Sequence, residues 1–257
     1  MELTASQQEI KDEFIRARGT WNDTWESMLK LNPEFLRQYG RFSSVALKKR
    51  HLEPKVQEFI FIAIDANATH MFGPGIRPHV RKALEYGATP RELMEVMELI
   101  STLGIHAMNI GIPVLAEVLE EEGLRNGPAE LNEHQQRLKA EFTANRGYWH
   151  SFWDEILEMD PEMFEAYTDF SSVSWKTGVL EPKIKEMIYI AFDVAATHLY
   201  VPGLKLHIRN ALGYGATKEE IIEVMEIAST LGIHGAMLGA PIIAEEIEAF
   251  ARQGSSL

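Results

Sequence analysis

Acidic and imidazole side chains recur along the chain at spacings that could support chemistry. In the first half of the chain they are Glu58, Asp65, His70, His79 and His106. Carboxylates and imidazoles are common proton carriers in catalysis, and both also bind divalent metal ions. This set of residues is therefore compatible with an acid–base site or with a metal site.

The same residue types return 128 positions later in an internal repeat. The second set is Glu186, Asp193, His198, His207 and His234. Aligned without a gap, residues 11–120 and 139–248 are identical at 54 of 110 positions. The chain is thus predicted to contain two copies of one unit. We assign residues 1–125 to the first copy and 126–257 to the second.

The elements that must position these residues are predicted to be helices. Glu58 and Asp65 are seven residues apart and would share one face of a helix, with His70 at its C-terminal end. Thr89-Pro90-Arg91-Glu92 has the pattern of a capping box, and Thr217-Lys218-Glu219-Glu220 repeats it. Alternation typical of strands is missing, so we predict an all-α fold of two equivalent units.

Composition limits the classes of partner. Lys and Arg total 25 against 38 Asp and Glu, giving a net charge of −13 that disfavours binding to nucleic acid or to an anionic membrane. No long uninterrupted apolar run and no export signal is evident, and the chain contains no cysteine. We expect a cytoplasmic protein with a small-molecule substrate, no nucleic-acid partner and no membrane span.

Three segments resemble the carboxymuconolactone decarboxylase family, which includes the alkylhydroperoxidase D branch. They are PKVQEFIFIAIDANATH, HVRKALEYGATPRELMEVM and STLGIHAMN, and the resemblance covers about residues 30–120 and again 158–248. It implies two alkylhydroperoxidase D-like helical units in tandem. The family's functional Glu corresponds to Glu58 and Glu186, and its functional His to His79 and His207.

The sequence departs from the peroxidase branch of that family. The two cysteine positions are occupied by His70 and Gly73, and in the second copy by His198 and Val201. Because a thiolate is the nucleophile of thiol peroxidases, we predict no such activity.

A histidine also replaces the proline of the family's Gly-Val-Pro turn in each copy, at His106 and at His234. We therefore expect each copy to build its own site, with three imidazoles and one glutamate around one pocket. The predicted catalytic groups are Glu58, His70, His79 and His106 in the first copy and Glu186, His198, His207 and His234 in the second.

The resemblance implies a lyase of the decarboxylase type. In this hypothesis Glu and His act as acid and base on a small carboxylated lactone or keto acid, without a cofactor. In the alternative, the three histidines of each copy hold a divalent metal such as Zn, Mn or Fe. The glutamate is then a fourth ligand or a hydrogen-bond partner of a ligating histidine. The six possible ligands are His70, His79, His106, His198, His207 and His234. A third hypothesis is that the protein binds a small ligand without catalysing a reaction.

Assembly is also predicted from the resemblance. Single-unit members commonly form trimers or hexameric rings, so a tandem chain is expected to form a homotrimer with pseudo-sixfold arrangement. The Trp-rich N-terminal helices of each copy are expected to be exposed and to supply contact area, and their tryptophans to serve either packing or subunit contacts: Trp21, Trp25, Trp149 and Trp153.

Overall fold

The protein is built from α-helices joined by short turns, as a computed structural model describes for residues 3–254. No strand occurs in that range, which confirms the predicted all-α fold. The helices of the first copy are α1 (Ala5–Arg18), α2 (Asp23–Leu31), α3 (Pro33–Lys49), α4 (Pro54–Ala66), α5 (Gly73–Glu85), α6 (Pro90–Ile100) and α7 (His106–Glu121). Those of the second are α8 (Glu133–Arg146), α9 (Asp154–Met159), α10 (Pro161–Thr177), α11 (Pro182–Val194), α12 (Val201–Gly213), α13 (Lys218–Ser229) and α14 (His234–Gly254).

Several helix starts follow directly from the local sequence. The Thr89 hydroxyl accepts a hydrogen bond from the Glu92 backbone N–H at 3.2 Å, and the Glu92 carboxylate accepts one from the Thr89 N–H at 2.7 Å. Thr217 and Glu220 form the same reciprocal pair at the start of α13. Both predicted capping boxes are therefore present, and proline opens α4 and α11 where its missing N–H costs nothing.

The two copies share one hydrophobic core. Helices α4 and α11, which are apolar on nearly every face, pack side by side and are covered by α6 and α13. The turns that follow α4 and α11 also meet, with the Thr69 and Thr197 hydroxyl oxygens 3.4 Å apart. The copies are thus joined along their buried central helices.

The last helix of each copy packs against the first helices of the other copy. Ile233 and Ala240, in and just before α14, join the core formed by α1, α2 and α3. Ile105, just before α7, joins the core formed by α8, α9 and α10. This exchange carries the N-terminal ends of α7 and α14 away from their own copies.

The tryptophans lie mainly inside the chain. Trp25 and Trp153 are 5% and 4% exposed, and Trp21 and Trp149 are half-buried. Of the two expected roles these rings serve packing, because they fill the two small cores made by the helix exchange.

Two buried glutamates tie each copy to the other. The Glu95 carboxylate of α6 accepts hydrogen bonds from the backbone N–H groups of Val179 and Leu180 at 2.6 and 3.0 Å, and it lies 3.0 Å from the Lys185 ammonium. Glu223 of α13 is the equivalent residue of the second copy and bonds to the first copy. It accepts from the N–H groups of His51 and Leu52 and from the side chain of Gln57.

Two continuous helical stretches, Pro90–Glu121 and Lys218–Gln253, are long and apolar enough by length and composition to cross a membrane. Core helices of water-soluble proteins can meet the same criteria of length and composition, and part of each stretch packs into the cores described above. The absence of a membrane span and the cytoplasmic location stay predictions.

Candidate functional site

The α4–α5 corner positions four of the predicted residues of the first copy. Glu58 and Asp65 lie on α4, His70 lies in the turn, and His79 lies on α5. The turn is closed by a hydrogen bond of 2.7 Å from the Phe72 N–H to the Asp65 carbonyl oxygen. The α11–α12 corner repeats this arrangement with Glu186, Asp193, His198 and His207, closed by the Tyr200 N–H on the Asp193 carbonyl oxygen.

A Glu–His pair forms in each copy. His79 Nδ1 lies 2.6 Å from Glu58 Oε2, and its ring stacks on Phe61 with centroids 4.3 Å apart. Because the ionised carboxylate only accepts hydrogen bonds, Nδ1 carries the proton and Nε2 of a neutral ring is free to accept one. His79 Nε2 faces Asp65 Oδ2 at 3.9 Å.

The second pair has the same geometry. His207 Nδ1 lies 2.6 Å from Glu186 Oε2, and the His207 ring stacks on Tyr189. His207 Nε2 faces Asp193 Oδ2 at 4.0 Å. The two predicted Glu–His pairs are therefore brought together as expected.

The third histidine of each site comes from the other copy. His234, the first residue of α14, places Nδ1 2.6 Å from His70 Nε2 and Nε2 3.6 Å from Asp65 Oδ1. His106, the first residue of α7, places Nδ1 2.7 Å from His198 Nε2 and 3.9 Å from Asp193 Oδ1.

The expected grouping of His106 with Glu58, and of His234 with Glu186, is therefore wrong. The physical cause is the exchange of α7 and α14 between the copies. We call the group Glu58, Asp65, His70, His79 and His234 the first site, and the group Glu186, Asp193, His198, His207 and His106 the second site.

Burial lowers the pKa of five site histidines: His70, His79, His106, His198 and His234. It lowers the pKa of His234 to about 3, with further lowering by His70 and His79, and it lowers the pKa of His106 to about 3, where His198 and His207 contribute. Burial also lowers the pKa of His79, although the hydrogen bond and charge of Glu58 oppose that shift. Neutral rings can accept a proton or bind a cation through a free nitrogen.

The aspartates are the most enclosed members of the two sites. Asp65 and Asp193 are both 0% exposed, and no oxygen of either carboxyl group has a hydrogen-bond partner among the described residues. Burial raises the pKa of Asp65 to about 8, with Glu58 raising it further and Arg18 lowering it. It raises the pKa of Asp193 to about 7, where Glu186 also raises it and His207 lowers it.

A cavity adjoins each site, and its wall includes a cationic side chain that sequence reasoning missed. The first cavity, about 90 Å³, is lined by His79 and His234 and by Arg18 and Lys82. The second, about 30 Å³, is lined by His207 and His106 and by Arg146. Both are small beside the roughly 300–1,000 Å³ of pockets for drug-sized molecules, and the second has room for about one water molecule as it stands.

Arg18 and Arg146 are equivalent residues at the ends of α1 and α8. Arg146 is 7% exposed and its Nε has no hydrogen-bond partner among the described residues. The signal that could have found them is their 128-residue offset, each directly before a glycine of positive φ, Gly19 or Gly147. An arginine presented to a small cavity can bind a carboxylate with paired hydrogen bonds.

The walls of the two cavities differ in polarity. Phe61, Phe72 and Met237 of the first correspond to Tyr189, Tyr200 and Asn109 of the second. Lys82, beside Arg18, corresponds to Asn210, which donates a hydrogen bond to Glu186 at 3.2 Å. The first site is therefore more cationic and more apolar, and the second offers more hydroxyl groups.

Fold and site together define a tandem, cysteine-free protein of the alkylhydroperoxidase D-like class with a Glu–His pair in each copy. The sequence profile of the carboxymuconolactone decarboxylase family matches residues 33–108 and 161–246, more than half of the chain, and the chain belongs to that family. The helices that carry Arg18 and Arg146 lie outside the matched segments.

A solved structure is similar over nearly the whole chain. It is the crystal structure of a putative gamma-carboxymuconolactone decarboxylase subunit from Burkholderia xenovorans LB400, with 55% sequence identity and a TM-score of 0.91. The match covers 95% of this chain and 98% of that chain. A comparison with proteins of curated function gives no match.

Proposed function

We propose that the protein is a carboxymuconolactone decarboxylase-like lyase that removes carbon dioxide from a small carboxylated lactone or keto acid by acid–base catalysis. The observation that carries this proposal is the Glu–His hydrogen bond of 2.6 Å, present in both sites with the histidine bordering a cavity. Family membership and the similarity to a putative decarboxylase subunit support the reaction class.

Decarboxylation proceeds through bond cleavage, loss of carbon dioxide and protonation of the remaining carbon. The bond between the substrate carboxylate and its neighbouring carbon breaks, and its electron pair moves onto the conjugated carbonyl as an enolate. Carbon dioxide leaves, and a proton taken up from solvent is then delivered to the carbon. Groups that donate hydrogen bonds to the enolate oxygen lower the barrier most, since its charge develops in the transition state.

The residues of the first site match these tasks. His79, fixed by Glu58, accepts the proton at Nε2 and delivers it, while the Glu58 carboxylate stabilises the imidazolium that forms in between. His234 lines the same cavity and can donate to the enolate oxygen, and Arg18 can hold a substrate carboxylate. In the second site His207, Glu186, His106 and Arg146 have the equivalent roles.

The proposal is tested by measuring carbon dioxide release from chelator-treated protein with a panel of small carboxylated lactones and keto acids. We expect release from at least one lactone at a rate that far exceeds the spontaneous rate. Binding of panel members by calorimetry without any release would contradict the proposal and support a ligand-binding protein.

Arg18 is expected to set substrate affinity in the first site. In a chain whose second site carries His207→Gln, Arg18→Gln should raise KM about ten- to a hundredfold, since a hydrogen bond to a charged group contributes about 1.5–3 kcal/mol. Lys82→Asn, which copies the residue of the second site, should raise KM less, because Arg18 remains. An unchanged KM in the Arg18 variant would show that Arg18 does not set substrate affinity.

The homotrimer stays a prediction, and the surface best suited to it lies on α7 and α14. Apolar side chains are exposed there on equivalent faces, among them Val114 and Leu115 of α7 and Ile242 and Ile243 of α14. Light scattering should give three times the 29.1 kDa chain mass. Val114→Asp with Ile242→Asp should lower that mass, because burying a charge without a partner is costly. A monomeric wild-type protein would contradict the prediction.

A further inference from the structure

Donor atoms for a cation converge beside the Glu–His pair in each site. In the first site they come from Asp65, His70 and His234, and the three donor atoms lie within 4.8 Å of one another. In the second site Asp193, His198 and His106 converge in the same way. Two ligands of one Zn²⁺ ion, each about 2.0–2.2 Å from it, lie roughly 3–3.5 Å apart, so small shifts would bring either set into a coordination shell.

No hydrogen bond satisfies the two aspartates among the described residues, and the nearest groups outside each donor set are the ring nitrogens of His79 and His207 at 3.9 and 4.0 Å. Asp65 and Asp193 are fully buried, and all four carboxyl oxygens are without hydrogen bonds among the described residues. A buried polar group without a partner is expensive, and a buried carboxylate is normally paired or bound to a metal. The neighbouring Arg18 and Lys82 do not reach Asp65 within ion-pair distance in the described part of the chain.

In the first site His234 contacts His70 through Nδ1 and faces Asp65 with Nε2, whereas in the second site His106 Nδ1 faces both His198 and Asp193. His70 Nε2 and His234 Nδ1 face each other at 2.6 Å, and His198 Nε2 and His106 Nδ1 at 2.7 Å. Only one proton fits between two such nitrogens, and a metal ion bound by both would require them to separate to about 3–3.5 Å. Phe72 stacks on His234 and Tyr200 stacks on His106, with centroids 3.9 and 3.8 Å apart, which fixes these rings in the same orientation.

We propose that each chain holds two divalent transition-metal ions, each bound by an aspartate and a histidine of one copy and a histidine of the other: Asp65, His70 and His234, and Asp193, His198 and His106. Two imidazoles with one carboxylate suit Zn²⁺, Fe²⁺, Co²⁺ or Mn²⁺ and do not suit Ca²⁺ or Mg²⁺, which prefer oxygen ligands. Three protein ligands leave at least one coordination position for water or another ligand. The proposal shares His234 and His106 with the acid–base reaction, whose proton transfer is assigned to the separate residues His79 and His207.

The test is calorimetric titration of chelator-stripped protein with Zn²⁺, with Co²⁺ absorption as a second readout of imidazole coordination. The wild type should bind two ions per chain. His70→Ala with His234→Ala should bind one, because both changes fall in the first site. His70→Ala with His106→Ala should bind none, because one change falls in each site. His134→Ala, at an exposed histidine of α8, is the matched control and should still bind two.

Asp65→Asn with Asp193→Asn keeps the shape of both side chains and should also abolish metal binding. This variant tests the proposal even if a histidine variant fails to fold. Two ions retained in the aspartate variant, or no saturable binding by the wild type, would overturn the proposal. One ion retained by His70→Ala with His106→Ala would overturn the assignment across the copies. Carbon dioxide release by the stripped protein separates the two proposals, since it would persist whether or not these metal sites exist.

Discussion

Replacing His79 and His207 together by glutamine is expected to lower the rate of carbon dioxide release about 10²–10⁴-fold, the usual contribution of a positioned acid–base group. Glutamine can still donate a hydrogen bond to Glu58 or Glu186, so neither buried carboxylate is left without a partner. It cannot take up a proton near neutral pH. Steady-state kinetics on the most active panel substrate measures the change, which should fall mainly on kcat.

Single variants separate the two sites. His79→Gln and His207→Gln should each retain the activity of the other site, because each pair is built from its own copy. His134→Ala controls for the loss of an imidazole elsewhere, and circular dichroism shows whether the helices are kept. A double variant with wild-type kcat would rule out the Glu–His pairs as the proton-transfer groups.

Replacing Glu95 by alanine is expected to lower the free energy of unfolding by about 3–5 kcal/mol, the range found when one partner of a buried ion pair is removed. The change leaves the Lys185 ammonium buried next to α6 and removes the acceptor of the Val179 and Leu180 N–H groups. Urea unfolding followed by circular dichroism measures the loss.

The chain contains its own control for this prediction. Glu223→Ala removes the equivalent carboxylate, but the partner left behind is the neutral amide of Gln57, so the loss should be smaller. Changing Lys185 to glutamine in the Glu95→Ala background should recover part of the stability, because it removes the unpaired charge. A loss below about 1 kcal/mol for Glu95→Ala would show that the carboxylate does not hold the copies together.

The local elements of the fold were predictable because their causes are local. Capping at Thr89 and Thr217 depends on residues three positions apart, and an ungapped repeat requires equivalent helices in both copies. The Glu58–His79 contact was predictable from the resemblance, since it joins neighbouring helices of one corner. The sequence pattern alone could not show it.

The partner of His106 could not be predicted, because it depends on where a whole helix packs. Ile105 and the start of α7 are covered by α8, α9 and α10, and a repeat gives no information on whether a helix stays with its own copy or crosses to the other. A gapless duplication is equally consistent with both. Arg146 was missed for a related reason, since an arginine at a helix end is usually solvated and only packing shows that this one is buried.

The most direct test of a site shared between the copies is the activity of two double variants. His79→Gln with His234→Gln places both changes in the first site and should keep the activity of the intact second site. His79→Gln with His106→Gln places one change in each site and should lose activity about 10²-fold or more, since each site then lacks one of the groups that serve proton transfer or the enolate oxygen. The opposite order, with the His79/His106 variant active and the His79/His234 variant inactive, would contradict the account.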